Sequence, residues 1–336
     1  RIAAFILIMS TAGASWGETP NVVLLMCDDL GYGDPQAFNP ESPIATPHID
    51  AMASSGLKFN RFYAAAPVCS PTRGSCLTGR HPYRYGIYNA NTGHLKAAEI
   101  TLPELLRQQG YATGHFGKWH LGTLTTTVND ANRGGPRGTK HFAPPRDHGY
   151  DESFVTESKV PTWDPLLHPG QIITRPTDGA SVAGLKGSSY GNDYFVGEGQ
   201  IETENMEGDD SRIIMDRAIP FIQKAVDRER PFFAVIWFHT PHSPVVGGDK
   251  YRAMYKEHPE DTQHYYACVT AMDEQVGRLR STLSELGVAD NTMLWFCSDN
   301  GPARQGSPRH VGSPGHLSGY KLSIQEGGIR VPGLLV

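Results

Sequence analysis

Four apolar runs punctuate the chain, and each leads into a polar, chemically capable group. Residues 22–27 end at Asp28-Asp29 and residues 111–116 at Gly117-Lys118-Trp119-His120. Residues 232–238 end at His239-Thr240-Pro241-His242, and residues 293–297 at Ser298-Asp299-Asn300-Gly301. Short continuous apolar runs predict strands buried on both faces. Helical patterns lie between them. One begins at Thr46-Pro47 and runs to Ser55. Another opens at Thr101, an N-cap candidate with Glu104 three residues on, and stops at Gly110. Residues 210–226 are amphipathic, and residues 262–286 form a long helix ended by Gly287. The alternation predicts an α/β fold, a largely parallel central sheet with helices on both faces. In such sheets ligands bind beyond the carboxyl ends of the strands, so four polar strand ends point to one shared site. Any single end also reads as a turn; the repetition carries the inference. Residues 123–210, rich in Gly, Pro, Thr and Asp, read as long loops with short elements that shape access.

The 336 residues carry a net charge of −5, which argues against general nucleic-acid binding. Acids are missing from residues 51–98, which hold Lys58, Arg61, Arg73, Arg80, Arg84 and Lys96. They are missing again from residues 301–325, which hold Arg304, Arg309, His310, His316 and Lys321. Two basic stretches in an acidic protein predict a focused anion site. Arg1, an apolar run and the small residues Ala12-Gly13-Ala14 read as part of a secretory signal peptide over residues 1–14. Export to the periplasm or the extracellular space follows. No other run is long enough to span a bilayer, so no stable membrane insertion is expected.

The candidate chemistry sits at the strand ends. Adjacent carboxylates at Asp28 and Asp29, with Asp299-Asn300 on a second strand end, form an oxygen-donor set suited to Ca²⁺, or less well Mg²⁺. Lys118 and His120 share one side of an extended chain, and His239 and His242 follow a third strand. The segment CSPTRGSCLTGR places Cys69 at the N-terminal end of a helix beginning at Ser70-Pro71, where negative charge is favoured. A nucleophile there is poised to attack an anionic ester. A plain thiolate is soft and matches Ca²⁺ poorly.

The same segment resembles the signature of type I sulfatases of the alkaline-phosphatase-like superfamily, polysaccharide sulfatases of the arylsulfatase type. VVLLMCDDLGYGD, TPHIDAMASSG, GYATGHFGKWHLG, FHTPHSP, CSDNG and EGGIRVP resemble the family in the same order. The resemblance implies that a separate maturation enzyme oxidises Cys69 to Cα-formylglycine. One hydroxyl of its hydrate would attack the sulfur of a sulfate ester; loss of the other's proton would expel sulfate. It implies Asp28, Asp29, Asp299 and Asn300 as Ca²⁺ ligands, with residue 69 on the same ion. Arg73 and Lys118 would stabilise the hydrate, and His120 would be the base for sulfate release. His239 and Lys321 would bind sulfate, His239 also protonating the departing alcohol. His242 would contact the sugar. The expected substrate is a sulfated carbohydrate.

The resemblance also implies a catalytic domain over residues 15–336, truncated before a smaller C-terminal subdomain. The last strand is then expected to lie uncovered and the chain to be poorly stable. Two further readings stay open: a phosphodiesterase or phosphonate hydrolase of the same superfamily, and an unmatured binder of sulfated glycan. Trp163, Tyr190 and Tyr194 are candidates for sugar contacts or for ordinary packing. Of five cysteines, Cys27 and Cys297 read as core thiols, Cys76 and Cys268 as helix residues, and no disulfide is predicted.

Overall fold

The computed structural model describes residues 19–130, 133–170, 186–304 and 311–336. The signal-peptide segment, with Arg309 and His310 of the second basic stretch, lies outside the described residues. Among the described residues the strands are β1 (Asn21–Cys27), β2 (Leu57–Lys58), β3 (Phe62–Tyr63), β4 (Ala112–Lys118), β5 (Glu152–Thr156), β6 (Tyr194–Val196), β7 (Gln200–Glu202), β8 (Phe232–Trp237), β9 (Thr292–Ser298), β10 (Arg330–Val331) and β11 (Gly333–Leu335). The α-helices among the described residues are α1 (Pro47–Ser55), α2 (Cys69–Thr78), α3 (Pro82–Tyr85), α4 (Leu102–Gln108), α5 (Asp210–Asp227), α6 (Asp249–Arg252), α7 (Glu260–Glu285) and α8 (Glu326–Ile329).

Nine strands form one sheet in the order β2-β11-β9-β1-β8-β4-β5-β6-β7. The central five, β9-β1-β8-β4-β5, are parallel. Antiparallel strands close both ends, β11 and β2 on one side and β6 and β7 on the other. The expected α/β architecture is present, and the predicted strands fall within two residues of those observed. The sheet also contains β5, which has no long apolar run to announce it. The expected uncovered last strand is not found: β11 is paired on both sides, and Leu334 is fully buried.

Alternation along β1 explains the two layers. Val23, Leu25 and Cys27 pack with Phe116, Ile236 and Phe296 against α1, α5 and α7. Met26 joins Val235 and Trp237 on the opposite face, against Leu77 of α2 and Leu102 and Leu106 of the α4 region. Each such burial contributes about 1.5–3 kcal/mol. The α4 capping box between Thr101 and Glu104 is formed as predicted. Helix α1 is capped from outside its own sequence: Asp273 of α7 accepts from the amides of His48 and Ile49 at 3.1 and 2.8 Å. Among the described residues no helix is long and apolar enough to cross a membrane.

Candidate active site

The order β9-β1-β8-β4 sets four polar strand ends side by side. Adjacent side chains on an extended chain face opposite ways, so Asp28-Asp29 needs a bend to turn both carboxylates inward. Asp29 supplies it with a φ of 69°, a left-handed conformation that a non-glycine residue adopts only under constraint. Its amide donates to Asp299 Oδ1 at 3.2 Å, joining the ends of β1 and β9. On the other side Gly117 (φ 98°) lets β4 close on β8, since a Cβ there would meet the Trp237 carbonyl oxygen at 2.0 Å. Lys118, the next residue, reaches Asp28 Oδ2 at 2.5 Å.

Three carboxylates and three cations interlock. Arg73 donates to Asp299 Oδ2 through Nη2 at 2.6 Å and Nε at 3.0 Å, and lies 3.7 Å from Asp28 Oδ1. Lys321 Nζ sits 2.6 Å from Asp29 Oδ1. Arg73, Lys118, Asp28 and Asp299 are fully buried. Burial works against the Asp28 charge, but Lys118, His242 and Arg73 outweigh it and hold its carboxyl well below the usual range. Burial and the Asp28 charge push Asp299 up to about 6 despite Arg73 and Lys118. Burial also opposes the Lys321 charge, yet Asp29 keeps its ammonium firmly protonated.

Cys69 is the first residue of α2, and its Sγ lies 3.4 Å from Asp28 Oδ1. Burial, then the charges of Asp28 and Asp299, push the thiol far above its ordinary range. A helix N-terminus favours an anion by about 0.3–1 kcal/mol, up to ~2 in partly buried settings. A carboxylate about 4 Å away opposes it by about 4 kcal/mol at an effective dielectric of 20. The carboxylates win, and the side chain remains a thiol.

The donor set suits a hard cation. Asp28, Asp29, Asp299 and Asn300 all carry oxygen donors, and Asn300 Oδ1 is buried without a partner among the described residues. Asn300 Nδ2 donates to Asp29 Oδ1 at 2.7 Å. Asp28, Asp29, Cys69 and His242 also present ligand atoms within 4.8 Å of one another.

The histidines separate. His120 (φ 58°) bonds Asn91 Oδ1 through Nε2 at 2.9 Å, and its buried Nδ1 has no partner among the described residues. Burial, Lys118 and Arg73 hold its pKa well below the ordinary value, leaving a neutral ring with a free lone pair. His242 faces the cluster, with Nε2 3.7 Å from Asp29 Oδ2 and Nδ1 bonded to the Ser243 carbonyl at 2.7 Å. Burial and Lys321 push it down to about 3, with Asp28 and Asp29 pulling the other way. His239 is placed differently from the expectation. Its Nδ1 meets Asp210 Oδ2 at 2.8 Å, and its Nε2 meets Thr156 Oγ1 at 2.7 Å and the Ser158 carbonyl at 3.1 Å. Both nitrogens are committed to protein, so neither is free for substrate. Tyr194 is fully buried and donates to Asp210 Oδ1 at 2.6 Å, a packing role rather than a sugar contact. Tyr190 packs beside His168, while Trp163 lines a cavity of about 480 Å³ next to Val246. All five cysteines are unpaired. Sequence reasoning missed Asn91, because a loop asparagine carries no local sign of a partner 29 positions away.

Residues 20–336 match the Sulfatase family. The chain is 32% identical to human N-acetylgalactosamine-6-sulfatase over 342 residues, covering 97% of this chain and 58% of that protein. It is 31% identical to human arylsulfatase A over 336 residues, covering 98% and 61%. The crystal structure of Ps i-CgsB in complex with k-i-k-neocarrahexaose superposes with a TM-score of 0.74 at 29% identity, covering 95% of this chain and 66% of that one. The PsFucS1 sulfatase from Pseudoalteromonas sp. gives a TM-score of 0.72 at 27% identity, covering 94% and 62%. The chain therefore spans about 60% of the curated relatives it matches.

Proposed function

Because the chain belongs to the sulfatase family, we propose that it is an exported protein whose site hydrolyses sulfate esters on a sulfated carbohydrate. Residues 15–336 are read as the catalytic domain. The observation that carries the reading is the interlocked set of three carboxylates and three cations around residue 69.

Asp28, Asp29, Asp299 and Asn300 would hold Ca²⁺, with residue 69 beside it. The ion supplies Lewis-acid polarisation of sulfate oxygens, and Cα-formylglycine at residue 69, installed by a maturation enzyme, supplies the nucleophilic hydroxyl. Without an ion, three negative charges meet three positive ones. A bound divalent cation leaves the site with a net positive charge, matched to an anionic ester. Arg73 and Lys118 fix the acidic wall and face residue 69 with positive charge. His120, neutral and with Nδ1 free, takes the proton whose loss releases sulfate, while Asn91 fixes its tautomer. Lys321 binds the sulfate group. Protonation of the departing alcohol passes from His239 to His242, because both His239 nitrogens are occupied. An anionic ester beside His242 raises the proton affinity that burial and Lys321 depress.

The test uses chain co-produced with a formylglycine-generating enzyme. The peptide carrying residue 69 is expected to show the thiol-to-aldehyde mass change, and the protein to turn over aryl sulfate faster than aryl phosphate. A matured residue 69 with a preference for phosphate would assign the site to phosphoester chemistry instead.

A further inference from the structure

Helix α3 and the loop after it carry an exposed ladder of rings. His81 stacks on Tyr83 with centroids 5.3 Å apart and planes at 20°. Tyr83 meets Tyr88 at 5.3 Å and 35°. Tyr83 is 76% exposed and Tyr88 60%, whereas Tyr85 and Ile87 between them are buried. The segment thus spends its inward positions on the core and shows its remaining rings to solvent. Clustered exposed rings of this kind mark an interaction surface rather than packing.

The surrounding charge is one-sided. Residues 51–98 contain no acid. Arg84 and Lys96 are exposed and make no ion pair among the described residues, while Arg80 is tied to Glu99 at 2.5 Å. The ladder also leads to the site. Tyr88 is three residues from Asn91, at most about 10 Å of chain, and Asn91 bonds His120. The loop is fixed by the Asn89 amide donating to Thr92 Oγ1 at 3.1 Å and by Arg133 donating to the Gly93 carbonyl at 2.6 Å. Rigid presentation lowers the entropy cost of binding.

We propose that Tyr83, Tyr88, Arg84 and Lys96 form a subsite for a sulfated polysaccharide chain whose end enters at Asn91 and His120; this rests on the sulfatase reading above. Pyranose C–H faces lie on the tyrosine rings, which offer large apolar area with a polar tip. Sulfate groups meet the two unpaired cations. An anionic, ring-bearing polymer uses both features, the exposed rings and the unpaired cations.

The test is electrophoresis of the chain through gels containing carrageenan or chondroitin sulfate, beside turnover of a small aryl sulfate. Wild type is expected to be retarded by at least one polymer, and Tyr83→Ala/Tyr88→Ala to weaken that affinity about tenfold. Arg84→Gln/Lys96→Gln weakens it as well, and the retardation falls with salt. Aryl sulfate turnover is expected to stay within about twofold in both variants, since neither touches the floor. Retardation by neither polymer, or wild-type retardation of the tyrosine variant, overturns the subsite. Parallel loss of aryl sulfate turnover in the tyrosine variant also overturns it. Tyrosine-dependent retardation without any aryl sulfate turnover leaves the subsite standing and sinks the hydrolytic reading.

Discussion

The floor of the site and its rim are built by opposite rules. On the floor, Arg73, Lys118, Asp28 and Asp299 are fully buried and paired with one another on strand ends and α2. On the rim, Tyr83, Tyr88, Arg84 and Lys96 are exposed on a short helix and a loop. Buried charges survive only when compensated, so the floor tolerates little change. Exposed groups can be exchanged at small cost in stability. On the proposed reading, chemistry is held by the part that resists substitution, and recognition is left to the part that accepts it.

Substitutions should reveal that division, beginning with the largest effect. Cys69→Ala is expected to lower turnover by on the order of 10⁴–10⁶-fold while leaving the thermal midpoint near wild type, measured by aryl sulfate kinetics and calorimetry. His242→Ala should lower kcat by about 10²–10⁴-fold. His239→Gln should act mainly on stability, by about 1–3 kcal/mol in denaturant unfolding. A larger kcat loss for the His239 variant would return the acid role to that residue. Lys118→Met leaves Asp28 buried without its closest cation and should cost about 3–5 kcal/mol of stability; an unchanged denaturation midpoint would show that the floor is less closed than described. Asn91→Ala should lower kcat/KM about tenfold without a change in stability, because the His120 tautomer is no longer fixed.

His120 also predicts a pH dependence. Burial, Lys118 and Arg73 lower its pKa below the ordinary 6.5, so the ring stays unprotonated as pH falls through that value. The base form is lost only below the depressed pKa. The acid limb of kcat/KM attributable to His120 should therefore lie below pH 6.5, and Asn91→Ala should shift it.

The strand-end part of the floor was legible in the sequence because each of its groups is a local motif at the end of an apolar run. Asp28-Asp29, Lys118-x-His120 and Asp299-Asn300 announce themselves, and the parallel sheet brings them together. What escaped depends on distant partners. β5 is short and half-exposed at its start, so its pairing with β4 and β6 is what makes it a strand. His239 and His242 look alike in the sequence; Asp210 and Thr156, from other elements, decide which ring is free. Asn91 gains its role only by meeting His120. The expectation of an uncovered last strand failed because β2, formed more than 250 residues earlier, folds back beside it.

That last pairing also sets a timetable. In the sheets, β2 pairs with β11 and β3 with β10, so residues 57–63 wait for residues 330–335 to be made. Residue 69 comes six residues after the end of β3 and ends up 1% exposed, closed to any protein-sized catalyst. At about 5–20 residues per second the wait lasts on the order of 10–50 s. For that interval the segment around Cys69 is a nascent peptide without its final strand partners, and any enzyme that must modify residue 69 has its opening then.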